Sequence, residues 1–388
     1  MNERWNAIWN AFHAVLEEPA AERSVRLDEL CSGDGELRRE VEELLAAHEE
    51  GVPILDESVS DLAPTAPFAP EHSDEPSFRP GTVVGGRFEI VNRIAAGGMG
   101  EVYVAHDREL DRQIALKTLF SGRMRSESAL ARFRREIQLA QQVTHRNVCR
   151  VFDLFRDEGH VFLTMELLEG ETLAERLRRE GALSLEETKV IVGQIVAGLE
   201  AAHSVGVIHR DLKPSNVILV EDSTGLRAVV TDFGIATSQT SGSEDDSHLT
   251  RTGEMLGTPA YMAPEQLEGE ETSPATDVYA VGLLVYEMVT GRRPFTGRSS
   301  FSVANRRLEG PPTSPRRHVP ELDARWERVI LHCLERDPAD RFQHPREIVE
   351  ALEDESVRVQ APSAIRKKRR TLLLAVSGLL LIVIAFAA

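Results

Sequence analysis

The sequence predicts an α+β main domain between a small N-terminal helical module and a C-terminal transmembrane helix, and three observations lead to this architecture. Strand-like and helix-like segments alternate from Phe88 to about Leu352 without a long linker. Apolar residues recur at three- and four-residue spacing within residues 1–50, which favours short amphipathic helices. Residues 371–388 are all apolar, small or hydroxyl-bearing. A chain of 388 residues is too long for one compact core, so several structured units are expected.

The N-terminal module is assigned to residues 1–55. A second helix would run from about Ala20 to Cys31 and end at Gly33, and Asp34 can cap a third. The apolar face of the first helix is formed by Trp5, Ile8, Trp9, Phe12 and Leu16. So small a unit must bury its apolar faces against something. It is therefore either a helical extension that covers part of the neighbouring domain or a docking module for a partner.

A Pro-rich, acidic linker is assigned to residues 56–87, and the main domain to residues 88–352. Residues 56–82 are rich in Pro, Ser, Asp and Glu and contain few large apolar side chains. Such a composition cannot bury enough apolar surface to fold, so a flexible linker is expected there.

The C-terminal part consists of a basic juxtamembrane segment, residues 353–370, and the transmembrane helix, residues 371–388. Eighteen helical residues span about 27 Å, close to the roughly 30 Å of a bilayer core. The run RKKRR at residues 366–370 precedes the helix and is expected to stay cytoplasmic. We therefore expect a single-pass protein of the cell membrane with a cytoplasmic main domain. The alternative is a buried C-terminal core helix, and whether an extracytoplasmic part follows residue 388 stays open.

Composition limits the partners and the compartment. The chain has 63 Asp and Glu against 45 Lys and Arg, which argues against a nucleic-acid-binding protein. Solubility alone also explains such an acidic excess. Cys31, Cys149 and Cys333 are scattered and form no Cys-x-x-Cys pair, so neither a disulfide framework nor a zinc site is expected. A reducing compartment fits this pattern.

Two motifs carry most of the chemistry. Residues 209–216 are His-Arg-Asp-Leu-Lys-Pro-Ser-Asn, and residues 232–234 are Asp-Phe-Gly. Together they supply a base, a lysine on the phosphate side and oxygen ligands for magnesium, which phosphoryl transfer requires.

Upstream, a glycine-rich hairpin at residues 94–102 presents bare backbone that can close over phosphates. Alone this signal is weak, because glycine turns in hairpins are common. Lys117 ends an apolar strand and faces a cleft, where a buried cation needs an anion. Glu136 lies on a helix from which it could reach Lys117, and that ion pair would hold the lysine for the phosphates.

These motifs, in this order, resemble the bacterial, eukaryotic-type Ser/Thr protein kinases of the Hanks family over roughly residues 88–345. The resemblance implies a two-lobed protein-kinase fold with ATP and Mg²⁺ as cofactors. Asp211 would accept or orient the proton of the substrate hydroxyl, and Lys213 would approach the γ-phosphate. Asn216 and Asp232 would hold two magnesium ions. A lysine at position 213, after His-Arg-Asp-Leu, resembles the motif of Ser/Thr kinases rather than that of tyrosine kinases.

For the nucleotide, the resemblance implies that Met165 sits behind the adenine and that backbone groups of Glu166 and Leu168 bond its edge. Apolar side chains would sandwich the ring. The first loop glycine of the family is replaced by Ala95, which should shift nucleotide affinity only modestly. The remaining implied nucleotide contacts are Ile94, Gly97, Gly100, Val102 and Ala115.

Four further residues would support the site. Thr258 would contact Asp211 and Lys213, Glu265 would pair with Arg341, and Asp277 would brace the catalytic loop. In the activation loop, Thr250 and Thr252 stand where related bacterial kinases autophosphorylate. Arg210 could bind the phosphate that this adds.

The function expected from these residues is transfer of the ATP γ-phosphoryl group to Ser and Thr of proteins, with activation by autophosphorylation. The partners implied are protein substrates, the membrane and a second copy of the chain for autophosphorylation in trans. Nucleic acid is not expected. The alternatives are a pseudokinase scaffold and a recruitment protein led by the N-terminal helices. Pseudokinases usually lose a key residue, yet Lys117, Asp211, Asn216 and Asp232 are all present.

Overall fold

The computed structural model divides the chain into two compact units, one around the N-terminal residues and one that holds the main domain. The structure describes residues 11, 14–15, 23–31, 34–35, 37–39, 41, 76–97, 100–119, 127–157, 160–223, 225–233, 259–297 and 300–354.

The described N-terminal residues form a small core of their own. Helix α1 covers Arg23–Leu30. The Asp34 carboxylate accepts a hydrogen bond from the Leu37 amide at 2.9 Å, the N-cap expected for the third helix. Trp5, Ile8, Trp9, Phe12 and Leu16 lie outside the described residues. The buried apolar cluster contains Ala11, Val15, Leu27, Cys31, Leu37 and Val41.

The first half of the main domain is an antiparallel sheet of six strands in the order β1-β2-β3-β4-β6-β5. One helix, α2, covers Glu127–Gln142 and follows β4. The strands are β1 Val83–Val84, β2 Phe88–Gly97, β3 Gly100–Asp107, β4 Arg112–Leu119, β5 Val151–Asp157 and β6 His160–Met165.

Strand alternation gives this sheet two apolar faces. Leu116 belongs to one cluster with Tyr103 and Phe162. Ala115, one position away, belongs to another with Phe133 and Ile137 of α2. Because successive side chains of a strand point to opposite faces, Lys117 lies on the face of Ala115.

The second half of the main domain is helical and carries a small three-stranded sheet in the order β7-β8-β9. Its largest apolar cluster surrounds helix α6, which is buried along nearly its whole length. The strands are β7 Glu171–Thr172, β8 Val217–Asp222 and β9 Gly225–Val230. The helices are α3 Leu173–Glu180, α4 Leu185–His203, α5 Pro264–Leu267, α6 Pro274–Thr290, α7 Ser300–Glu309, α8 Ala324–Cys333 and α9 Arg346–Glu353.

The expected linker over residues 56–87 is wrong at its C-terminal end. Strand β1 pairs with β2, with Val84 opposite Phe88. Val84 is buried, and the Phe78 ring packs on the sheet. Phe78 is one of the few large apolar residues within residues 56–82, so the overall composition of that stretch hides its packing.

The expected membrane helix at residues 371–388 lies outside the described residues. Within the described part of the chain, no helix combines the length and the apolar character needed to cross a bilayer.

A buried ion pair fixes the helical half. Arg341 donates from Nη1 to Glu265 Oε1 at 2.9 Å and from Nη2 to Glu265 Oε2 at 2.8 Å. Both side chains are almost fully buried. This is the ion pair that the family resemblance implies, and it joins two residues that are far apart in the chain.

Replacing Glu265 by Gln is expected to lower the free energy of unfolding by about 3–5 kcal/mol, because it leaves the buried Arg341 cation without its counter-charge. Urea denaturation measures the loss. The matched control is Glu268→Gln, which breaks an ion pair to the exposed Arg336. That control should cost less than about 1 kcal/mol. Equal losses in the two variants would contradict the importance of the buried pair.

Candidate active site

The catalytic loop, residues 209–216, is held by a buried carboxylate from the first turn of α6. Asp277 accepts hydrogen bonds from the backbone amides of His209 at 2.8 Å and Arg210 at 2.9 Å. His203, at the end of α4, bonds the same carboxylate through Nε2 at 2.7 Å. Arg210 has a φ of 66°, a conformation that costs energy outside glycine. The Asp277 hydrogen bonds hold the loop in it.

The charge of Asp277 is stabilised where it lies. Burial alone would raise the pKa of Asp277, but the hydrogen bonds from His203 and the His209 amide outweigh it and hold that pKa below its ordinary value. The carboxylate therefore stays charged although it is fully buried.

His209 connects the loop to the Asp232 segment. Its Nδ1 accepts from the Asp211 amide at 3.2 Å, so Nε2 carries the proton and donates to the Thr231 carbonyl at 2.9 Å. The His209 ring also packs on Phe233 with centroids 4.6 Å apart. The imidazole thus acts as a spacer between the two motifs.

Asp211 lies at the centre of a small polar cluster. Lys213 Nζ donates to Asp211 Oδ2 at 2.8 Å. Asn216 donates from Nδ2 to the Asp211 carbonyl at 2.8 Å and to Oδ2 at 3.2 Å. This orientation of the amide leaves Asn216 Oδ1, a hard oxygen donor, for a cation such as Mg²⁺.

The ion pair expected between Lys117 and Glu136 is not the one that the structure forms. Lys117 Nζ bonds Asp232 Oδ1 at 2.7 Å. Glu136 Oε1 instead lies 3.8 Å from Arg210 Nη1. A buried lysine needs an anion, and the Asp232 carboxylate supplies it.

Asp232 is a second carboxylate that its partners hold in the charged form, and its side chain is partly exposed. Burial raises the pKa of Asp232, but the charge and hydrogen bond of Lys117 outweigh this and lower it. Its φ of 63° is a left-handed conformation that costs energy outside glycine. Asp232 can therefore offer a carboxylate oxygen to a magnesium ion. Together with Asn216 it gives two protein oxygen ligands, which suits Mg²⁺, because this ion usually takes its other ligands from phosphates and water.

Three of the predicted adenine contacts, Val102, Ala115 and Met165, share one face of the sheet. Val102 stands opposite Lys117, and Ala115 opposite Met165. Val102 and Leu168 pack against the cluster that holds Ala115 and Met165. On the neighbouring strand β2, Ile94 is 51% exposed.

The two positions predicted to bond the adenine edge, Glu166 and Leu168, differ in the hydrogen bonds of their backbone. The Glu166 amide donates to the Arg150 carbonyl at 2.9 Å, so that amide is already bonded and only the Glu166 carbonyl could bond the adenine edge. Cys149 Sγ approaches that carbonyl at 3.7 Å, a weak contact. The peptide groups of Leu168 form no hydrogen bond within the described part of the chain, which leaves them for a ligand edge.

Gly97 and Gly100 face each other at the end of the hairpin. Gly100 has a φ of 141°, and a Cβ there would lie 1.7 Å from the Thr118 carbonyl oxygen, so glycine is required. Ala95 lies within β2 opposite Val102 and is exposed, so its methyl group meets no crowding. The modest shift in nucleotide affinity expected from Ala95 stays a prediction.

Three predicted residues, Thr250, Thr252 and Thr258, lie outside the described residues. Two supporting residues were not predicted from the sequence. His203 bonds Asp277, and Gln266 donates from Nε2 to the Arg210 carbonyl at 2.7 Å. A histidine at the end of an apolar helix, shortly before the catalytic loop, was the available signal for His203.

A family model described as the protein kinase domain matches residues 88–354. The chain belongs to the protein kinase family. Serine/threonine-protein kinase PrkC of Bacillus subtilis is 36% identical over 263 residues, which cover 68% of this chain and 39% of PrkC. Serine/threonine-protein kinase PknL of Mycobacterium tuberculosis is 36% identical over 256 residues, which cover 66% of this chain and 62% of PknL. The chain thus spans less than two thirds of these curated relatives.

Among solved structures, the kinase domain of PknI from Mycobacterium tuberculosis superposes with a TM-score of 0.58 at 27% identity. The match covers 71% of this chain and 98% of the PknI kinase domain. The sheet-rich and helix-rich halves of this chain are therefore the two lobes of the kinase fold.

Proposed function

We propose that this kinase transfers the γ-phosphoryl group of ATP to Ser and Thr hydroxyls of proteins. The observation that carries the proposal is the convergence of the catalytic loop and the Asp232 segment, which His209 connects. Within the catalytic loop, the candidate base Asp211 lies beside the candidate phosphate ligand Lys213, at 2.8 Å. The Asp232 segment adds the carboxylate that bonds Lys117 at 2.7 Å. The pseudokinase alternative is not favoured, because none of the four key residues is replaced.

In this reaction the substrate oxygen attacks the γ-phosphorus, and the bond to the bridging oxygen of ADP breaks. Asp211 takes the proton of the hydroxyl, and its carboxylate is kept in place by Asn216. Lys213 is positioned to move from Asp211 to the γ-phosphate as negative charge develops there. Magnesium, when bound through Asn216 and Asp232, neutralises charge on the phosphates.

Replacing Asp211 by Asn should reduce phosphoryl transfer by about 10²–10⁴-fold, because the amide cannot accept the proton. The measurement is incorporation of label from γ-labelled ATP into a generic protein acceptor by the purified full chain. Asp111→Asn is the matched control, since it makes the same change at a carboxylate that is 95% exposed. Equal labelling by wild type and Asp211→Asn would contradict the proposal.

We further propose that phosphorylation of Thr250, Thr252 or both activates the enzyme. Arg210 supports this, because its guanidinium donates to Thr272 Oγ1 at 3.0 Å and lies near Glu136. Glu136 is the predicted partner of Lys117. A phosphate that bound Arg210 would therefore make Glu136 available to Lys117. A phosphate dianion binds arginine more strongly than a distant carboxylate does.

The double variant Thr250→Ala, Thr252→Ala should lose most of the activity gained on preincubation with Mg·ATP, while wild type gains at least about tenfold. Phosphopeptide mapping and initial rates measure this. The control, Thr237→Ala with Thr240→Ala, changes two threonines of the same loop. Full activation of the first double variant would sink the proposal. A dependence of the activation rate on enzyme concentration would support autophosphorylation between two copies.

We also propose that residues 371–388 anchor the chain in the cell membrane with the kinase domain in the cytoplasm. The apolar run and the basic residues before it support this. The expressed chain should stay in the membrane pellet after alkaline carbonate washing, and a chain that ends at residue 352 should be released. Release of the intact chain by carbonate would refute the anchor.

A further inference from the structure

Residues 76–79, here called the strap, precede the region matched by the kinase family model and lie on the sheet of the N-terminal lobe. The Phe78 ring packs against Tyr103, His160 and Phe162, with centroid distances of 5.9, 5.6 and 5.5 Å. Tyr103 stands opposite Leu116, so this is the face away from Lys117. The strap therefore covers the back of the nucleotide-binding sheet.

The strap bonds Glu101, the residue that follows the last loop glycine, Gly100. Glu101 Oε2 accepts hydrogen bonds from the Ser77 amide at 3.0 Å and from the Tyr103 hydroxyl at 2.7 Å. The Phe78 amide in turn donates to the Tyr103 hydroxyl oxygen at 3.2 Å. The strap thus reaches the Glu101 carboxylate both directly and through Tyr103.

Glu101 also ties the hairpin to its neighbours. Its Oε1 accepts from Arg93 Nη1 on β2 at 2.8 Å, and its amide donates to Thr118 Oγ1 on β4 at 3.0 Å. Thr118 is the residue after Lys117, and its carbonyl packs against Gly100. The Glu101 side chain is buried, so its position is determined by these bonds.

Burial raises the pKa of Glu101, but hydrogen bonds from Ser77, Arg93 and Tyr103 outweigh this and lower it to about 2. The carboxylate is therefore charged at neutral pH, and each donor that reaches it makes a charge-assisted bond.

We propose that Ser77 and Phe78 are positioning residues for the nucleotide loop, because they hold Glu101 and through it set Gly100 over the phosphates of ATP. The proposal rests on the proposed function, in which this loop binds ATP. Affinity for Mg·ATP then depends on a segment outside the region matched by the family model, and the catalytic loop, held separately by Asp277, is unaffected.

The test compares Ser77→Pro, which removes the backbone N–H that bonds Glu101, with Ser77→Ala, which keeps it. Both are made in the full chain. Calorimetry gives the Kd for Mg·ATP, and initial rates give KM and kcat. Ser77→Pro should raise Kd and KM for ATP about tenfold, the effect of one charge-assisted hydrogen bond. Its kcat should stay within about twofold of wild type. Ser77→Ala removes only the hydroxyl, which also contributes to holding Glu101, and keeps the amide bond, so it should raise Kd and KM less than Ser77→Pro does.

Phe78→Ala provides a second test that leaves both strap amides in place, and Phe78→Leu should restore much of the affinity by refilling the apolar contact. The melting temperature of each variant separates a local effect on nucleotide from general unfolding.

Equal Kd values in wild type, Ser77→Pro and Phe78→Ala, with all chains folded, would overturn the positioning role. Because calorimetry does not need turnover, the two proposals fail differently. Weaker binding in the strap variants alone, with no phosphoryl transfer by any chain, would support the strap and overturn the kinase activity. Absence of Mg·ATP binding by wild type would overturn both.

Discussion

The site depends most on the carboxylate of Asp277. A charge buried in the interior must have partners, and this one has three, the amides of His209 and Arg210 and the His203 ring. Those bonds keep Arg210 in a left-handed conformation, which turns the chain so that Asp211 faces the cleft. Helix α6, which carries Asp277, is embedded in the largest apolar core. The rigidity of that core is thus transmitted to the catalytic loop.

The charged side chains of the cleft are paired with one another in this structure, and each could instead bind a proposed ligand. Lys117 bonds Asp232, and Glu136 lies nearer to Arg210. The phosphates of ATP would give Lys117 another anion, and magnesium would give Asp232 another cation. A phosphorylated activation loop would do the same for Arg210. Each proposed ligand therefore competes with an ion pair present in this structure, and Glu136 is the group that such exchanges would make available to Lys117.

Contiguous motifs made the catalytic residues predictable, since Asp211, Lys213 and Asn216 lie within one loop whose spacing alone brings them together. The pair Glu265–Arg341 followed from the family resemblance and not from local pattern. The partner of Lys117 could not be predicted, because Asp232 and Glu136 are both acidic, and only the path of the backbone decides which is closer. The strap was missed because its packing depends on Phe78, while the surrounding composition is that of a linker.

The most direct test of this account is the rate of phosphoryl transfer in a single turnover by Asp277→Asn, with Mg·ATP affinity measured on the same preparation. The backbone amides of His209 and Arg210 donate to different oxygens of Asp277, so the NH₂ group of Asn would set a donor against one of them, and the loop should lose its geometry there. The account predicts a rate reduced by about 10²-fold or more, with ATP affinity changed by less than about threefold. An unchanged rate in a folded variant would contradict it.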